Sequence, residues 1–126
     1  MNLNAIQKKL RDFVGARNWE QFHSPKNLSM ALAAETAELL EIFQWLTEKE
    51  SKEILNNDLE MLQVRHEIAD IFIYLARLSD KLNVDIEQAV LEKIALNERK
   101  YPVGLSKNNA IKYNKRDLDD LDKSKE

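Results

Sequence analysis

The chain has 126 residues, 44% apolar and 33% charged, with two glycines, two prolines and no cysteine. That length carries one domain with a real core, and so few chain breakers favour long amphipathic helices over a turn-rich β fold, so the expected class is all-α. The missing cysteine excludes disulfides and thiolate metal sites, leaving carboxylates, two histidines and carbonyls as ligands, and a formal net charge of −3 argues against general nucleic-acid binding.

Leu3, Ile6, Leu10, Phe13 and Val14 recur at helical spacing and predict a first helix to about Asn18, with Asn2 or Asn4 as cap. The opening residues lack a charged start followed by an apolar region, and no apolar stretch approaches membrane-spanning length, so a soluble cytoplasmic protein without membrane partners is expected. Trp19 to His23 reads as a connector packed by its rings, because Pro25 lies close behind. Ser24-Pro25 is a helix-start pair, N-cap and first helical position, and apolar periodicity then runs to about Leu46. Glu48 to Glu60 is charged and predicts a short helical or irregular linker before a third helix from Leu59 or Leu62 to Leu82.

Asn83-Val84 breaks that pattern, and Asp85 with Gln88 has the spacing of a capping box opening a fourth helix to about Lys100, which Pro102 ends. Beyond it lie a basic arm (Lys100, Lys107, Lys112, Lys115, Arg116) and an acidic tip whose composition predicts disorder. Four helices with short connections imply a four-helix bundle over residues 1–113, followed by a flexible charged tail over 114–126. A bundle this small and charged suggests that part of its apolar surface is buried against a second subunit.

Two acidic pairs stand out against this plan, Glu35-x-x-Glu38 on the second helix and Glu67-x-x-Asp70 on the third. Residues three apart share a helix face, so each pair aims two carboxylates at one point. At about 100° per residue, Glu35 falls within the stripe of Leu28, Leu39, Ile42 and Leu46, Glu38 lies between Ala31 and Trp45, Glu67 sits among Ile71, Tyr74 and Leu78, and Asp70 is next to Tyr74. Acids replace leucines there, and an unpaired buried carboxylate costs roughly several kcal/mol unless it is neutralised, hydrogen-bonded or bound to a cation. Four oxygen ligands from two facing helices suit octahedral Mg²⁺, which keeps positions for water and phosphate oxygens. The plainer reading is that such spacings arise by chance on solvated faces; two pairs centred on apolar stripes weigh against it.

Other features stay open on the residues alone. A di-iron carboxylate bundle needs Glu-x-x-His from two helices, and only Glu20-x-x-His23 fits, beside Pro25. His23 is either a ligand contact at a helix mouth or a hydrogen-bonded connector histidine. Trp45 and Tyr74 border carboxylates, which suits a stacked base, but aromatics at helical spacing also serve as plain core. Lys93 and Asn97 share a face of the fourth helix, and the basic arm either holds a polyphosphate or is an ordinary solvated tail.

With Glu35, Glu38, Glu67 and Asp70, and with RNWEQFHSPKNLSMAL, the FQW ending at Trp45, EIADIFIYL, NERKYPV and AIKY, the chain resembles the MazG-like all-α nucleoside triphosphate pyrophosphohydrolases, nearest their dCTP pyrophosphatase branch. The resemblance covers roughly residues 3–113, with 28 residues between the pairs, and the combination is specific where no single piece is. It implies a Mg²⁺-dependent homo-oligomeric enzyme, dimer or dimer-based tetramer, with Mn²⁺ as a substitute ion, that hydrolyses a nucleoside triphosphate to monophosphate and pyrophosphate in nucleotide-pool cleaning. By resemblance, Glu35, Glu38, Glu67 and Asp70 hold the metal, and Glu38 or Glu41 positions or deprotonates the water. His23, Asn27, Trp45 and Tyr74 build the base pocket for dCTP or a modified dCTP, Lys93 and Asn97 face the nucleotide, and Lys112 and Tyr113 close towards phosphates. One departure is the loop at 106–110, where Asn108-Asn109 stands in place of the family's usual Gly, a substitution that asparagine's left-handed tolerance permits. The competing function is a non-catalytic helical interaction protein whose acids pair with a partner's Lys or Arg.

Overall fold

The computed structural model describes residues 1–115. All regular structure among them is helical, and the chain divides into two compact units, one spanning Met1–Val84 and the other beginning at Asp85. Six α-helices are present where four were expected: α1 (Leu3–Ala16), α2 (Pro25–Phe43), α3 (Glu48–Glu53), α4 (Asp58–Lys81), α5 (Ile86–Lys100) and α6 (Val103–Ser106). The four long ones are those that periodicity marks. Of the two short ones, α3 lies in the charged linker and rests on local capping, and α6 follows Pro102; periodicity over long windows registers neither.

The caps explain the boundaries. Asn2 Oδ1 accepts from Ala5 N at 3.0 Å at the head of α1, and Ser24 Oγ accepts from Asn27 N at 3.1 Å ahead of Pro25. Thr47 and Glu50 form a reciprocal capping box that creates α3 within the charged linker. Asn57 and Asp85 cap α4 and α5 through the backbone N–H of Glu60 and Gln88, each at 3.0 Å. The expected box at Asp85 is only half formed, since Gln88 Nε2 donates instead to Glu92 Oε1 one turn on at 2.9 Å.

Asparagine terminates both α1 and α4. Asn18 and Asn83 each hold φ at 54°, and each is followed by a backbone bond back across the turn: Trp19 N to Val14 O at 3.0 Å, Val84 N to Ser79 O at 2.9 Å. These are Schellman closures in which Asn takes the left-handed position usually given to Gly. α2 stops at Phe43, short of the expected Leu46, so Trp45 lies beyond the helix.

In the first unit, α2 packs principally on α4 and α1 joins α4 from another side. Val14, Leu28, Ile54, Val64 and Ala76 are buried between them. α1 is further tied to α4 by Gln7 Nε2 donating to Ala76 O at 3.2 Å and by Arg11 gripping Asp80. The second unit holds α5, α6 and a 3₁₀ turn at Tyr113–Lys115, with Leu105 buried. Asn108 adopts φ 66° in the loop after α6, as the departure from glycine requires. The charged tail expected over 114–126 lies, apart from Asn114 and Lys115, outside the described residues, as does Arg116 of the basic arm.

Candidate functional site: an acidic cleft beside an aromatic cavity

α2 presents Glu35 and Glu38 on one face, and α4 presents Glu67 and Asp70 opposite. The two helices run antiparallel, since Glu41 and Ile42 meet Gln63 at one end while Glu35 bears on Asp70 and Tyr74 at the other. One carboxylate oxygen from each of Glu35, Glu38 and Glu67 falls within 4.8 Å of the others, a spacing at which a single cation can touch all three. Asp70 stands outside this trio but adds its charge to Glu35. Glu41 lines the same cleft as Glu38 and Glu67, about 510 Å³ in volume.

Glu35 Oε2 and Glu67 Oε2 are buried and have no hydrogen-bond partner, and among the described residues no Lys or Arg pairs with any of the four acids. Desolvation, then the charges of Glu38 and Asp70, push the Glu35 carboxyl up to about 7, and desolvation with the charge of Glu38 raises Glu67 as well. Buried like charges without a counter-charge are unfavourable; a hard divalent cation with oxygen preference would relieve them, and the donor set, all carboxylate, fits one.

Next to the acids lies a cavity of about 720 Å³ whose wall includes Phe13, Trp19, His23, Tyr74 and Arg77, with Asp70 on its edge. Asp70 therefore joins the acid cluster to an aromatic chamber. Phe13 and Trp19 meet edge-on with ring centroids 5.8 Å apart. Desolvation, then the charges of Glu35 and Asp70, raise the Tyr74 phenol, which keeps its proton as a donor. The chamber is concave and its surface largely apolar, as small-molecule sites are, with ionisable groups such as His23, Asp70 and Arg77 in its wall.

Of the sequence-expected residues, Glu35, Glu38 and Glu67 converge, Asp70 stands beside them on the chamber side, Glu41 lines the same cleft, and His23 and Tyr74 line the chamber. Asn27 does not line it; its Nδ2 donates to Phe22 O at 3.1 Å and braces the connector. Trp45 is 87% exposed and stands apart from the chamber wall. Lys93 and Asn97 are exposed on one face of α5. Tyr113 sits against Tyr101, centroids 6.1 Å apart, under Lys100 Nζ, with Lys112 just before it. These four belong to the second unit.

Trp19 and Arg77 are the residues that sequence reading missed. Trp19 was legible as an aromatic connector but not as a wall, because its placement depends on the Schellman turn at Asn18. Arg77 follows Tyr74 by three and Asp70 by seven, so the wheel that singles out acids on an apolar stripe marks this base by the same logic.

Comparison with known proteins places the chain among relatives. The family model described as MazG-like matches residues 30–116. The chain is 42% identical over 111 residues to the dCTP pyrophosphatase 1 of Bos taurus and 39% to that of Homo sapiens, covering 88% of this chain and 66% and 65% of those proteins. It thus spans about 65% of the length of these curated relatives. A crystal structure of a pyrophosphatase from Archaeoglobus fulgidus aligns with TM-score 0.75 at 41% identity, over 81% of this chain and 94% of that one. With a family match across most of its length, and an acidic pair on each of two packed helices, the chain belongs to the MazG-like family.

Proposed function

We propose that the protein is a divalent-metal-dependent pyrophosphohydrolase of nucleoside triphosphates, with dCTP or a modified dCTP as substrate and a role in nucleotide-pool cleaning. The observation that carries this reading is the pair of partnerless buried oxygens, Glu35 Oε2 and Glu67 Oε2, in a cluster that adjoins an aromatic chamber through Asp70. The names of the relatives, dCTP pyrophosphatase 1 and a pyrophosphatase, support it.

Glu35, Glu38, Glu67 and Asp70 hold the ion, Mg²⁺ by its taste for oxygen, with Mn²⁺ as substitute. When bound, such an ion supplies charge neutralisation for the triphosphate and acidifies water. Glu38 or Glu41 orients the attacking water or takes its proton, and both border the cleft where that water would lie. In-line attack of that water on phosphorus breaks the bridging P–O bond between the α- and β-phosphates and yields monophosphate and pyrophosphate. Trp19 and Tyr74 stack against the base and His23 hydrogen-bonds it, with Asn27 bracing the connector that carries both. Nucleotide contacts by Lys93, Asn97, Lys112 and Tyr113 are carried over from the family resemblance.

Trp45, together with exposed Met30 and Leu40 on α2 and Leu59 and Ile68 on α4, supports assembly as a homo-oligomer that covers these side chains. No helix among the described residues is long and apolar enough to cross a membrane.

A panel of dNTPs, NTPs and 5-modified dCTPs scored by pyrophosphate release with Mg²⁺ tests this reading. Selective turnover of cytosine deoxynucleotides, abolished in Glu38→Gln and Asp70→Asn, is expected. Pyrophosphate release that survives both substitutions sinks the site, and no turnover of any nucleotide favours a helical interaction protein instead.

A further inference from the structure

Arg77 is 2% exposed and lines the chamber beside His23. A guanidinium tolerates burial only when its charge is paired and its N–H groups are met. Here Nη2 donates to Glu20 Oε1 at 2.9 Å, Nη1 lies 3.6 Å from Asp80 Oδ2, and Nε donates to His23 Nδ1 at 3.4 Å. Glu20 also binds Lys81, and Asp80 is gripped by Arg11 through two bonds of 2.8 and 2.9 Å. Arg77, Lys81 and Arg11 thus share the carboxylates of Glu20 and Asp80, and the Arg77 charge is spent on structure rather than offered to a ligand.

The bond to His23 carries chemical information. An arginine Nε has one hydrogen and no lone pair, so it only donates, and His23 Nδ1 must be the unprotonated nitrogen. A neutral imidazole then keeps its one proton on Nε2. Burial, and after it the Arg77 cation, hold the imidazole pKa below its ordinary value, so the neutral form is the relevant one at pH 7. Among the described residues, His23 Nε2 has no hydrogen-bond partner, which leaves its N–H for whatever fills the chamber.

We propose that Arg77 is a positioning residue that fixes His23 as the Nε2–H tautomer, so that the chamber reads a nucleobase through a hydrogen-bond acceptor on its edge, the 2-oxo group or N3 of a pyrimidine. This rests on the nucleotide reading above. The opposite tautomer would set a lone pair against that acceptor and a donor against the Arg77 Nε–H, so both contacts fail together. An exocyclic amino group, a donor, is not what His23 recognises.

The tautomer is read directly by ¹⁵N–¹H correlation spectra of the imidazole rings, with His66 as an internal reference for the only other histidine. Nδ1 of His23 is expected in the unprotonated range and Nε2 in the protonated one. Adding Mg²⁺ and a non-hydrolysable dCTP analogue is expected to move the Nε2 proton downfield. In Arg77→Gln the tautomers are expected to mix and KM for dCTP to rise about tenfold while kcat stays within about twofold, the scale of one hydrogen bond. A wild-type His23 with its proton on Nδ1 overturns the inference even if the variant does not fold. So does an Arg77→Gln protein with unchanged tautomer and KM, or one that loses kcat alone. In each of those cases pyrophosphate release by the wild type stands, whereas absence of turnover on every nucleotide overturns the functional reading and the base-reading role with it.

Discussion

Glu35 on α2 and Glu67 on α4 each bury one carboxylate oxygen, Oε2, with no hydrogen-bond partner, in a cluster where Glu38 brings a third carboxylate within 4.8 Å. Helix packing therefore holds like charges together at a cost that an ion of opposite sign would remove.

The first consequence concerns metal. A ligand bound only by the folded state stabilises it by about 2.7 kcal/mol at a hundredfold excess over its Kd. Mg²⁺ is expected to raise the melting temperature of the protein, and Glu67→Gln to remove most of that rise while leaving the metal-free protein at least as stable, because one buried charge is gone. A thermal melt with Mg²⁺ and with EDTA measures both; identical curves in the wild type would dispose of the metal site.

The second concerns pH. The Glu35 carboxyl is raised from 4.5 to about 7, so between those values the folded chain holds a proton that the unfolded chain has lost, and stability falls as pH rises through this window. Glu67, also raised, acts with the same sign. Glu20, lowered chiefly by its bond to Lys81, stabilises above its ordinary value and loses this only as pH falls below it, outside the window. His23, lowered by burial and the Arg77 cation, acts with the opposite sign below its ordinary value, so the readout is a difference: from pH 5 to pH 7 in EDTA, urea midpoints are expected to fall relative to those of Glu35→Gln. A slope unchanged by that substitution would assign it to other groups.

Trp19 and Trp45 make a contrasting pair. Trp19 lines the chamber, and stacking of a base on an aromatic ring is worth about 1–3 kcal/mol. Trp19→Ala is expected to raise KM for the preferred nucleotide by roughly 10- to 100-fold. Trp45, at 87% exposure, is expected to act through subunit association, so Trp45→Ala should shift the mass measured by light scattering towards smaller species at low concentration. An unchanged mass would limit Trp45 to nucleotide contact or to none.

Asn108, with φ 66°, sits where a β-branched residue is strained by about 1–2 kcal/mol and glycine is not. Asn108→Gly is expected to hold or slightly raise the urea midpoint and Asn108→Val to lower it. Equal midpoints for the two would mean that the loop adapts around the side chain.

The sequence by itself determined the long helices, the caps at Ser24 and Asp85, and the conflict at Glu35, Glu38, Glu67 and Asp70, because periodicity and capping are local and a charge on an apolar stripe is visible without coordinates. It fell short at helix ends and at short helices: α2 stops three residues early, the linker that sequence leaves open between helical and irregular holds α3 behind the Thr47–Glu50 box, and α6 is not foreseen. The tertiary structure decided what those acids face. Which oxygens lose their partners, how Asp70 joins the cluster to the chamber, and why Trp19 and Arg77 belong to its wall all depend on the Asn18 turn and on the packing of α1 and α2 against α4. Those contacts join residues far apart in the chain, such as Arg77 with Glu20, and no local pattern in the chain encodes the distance between them.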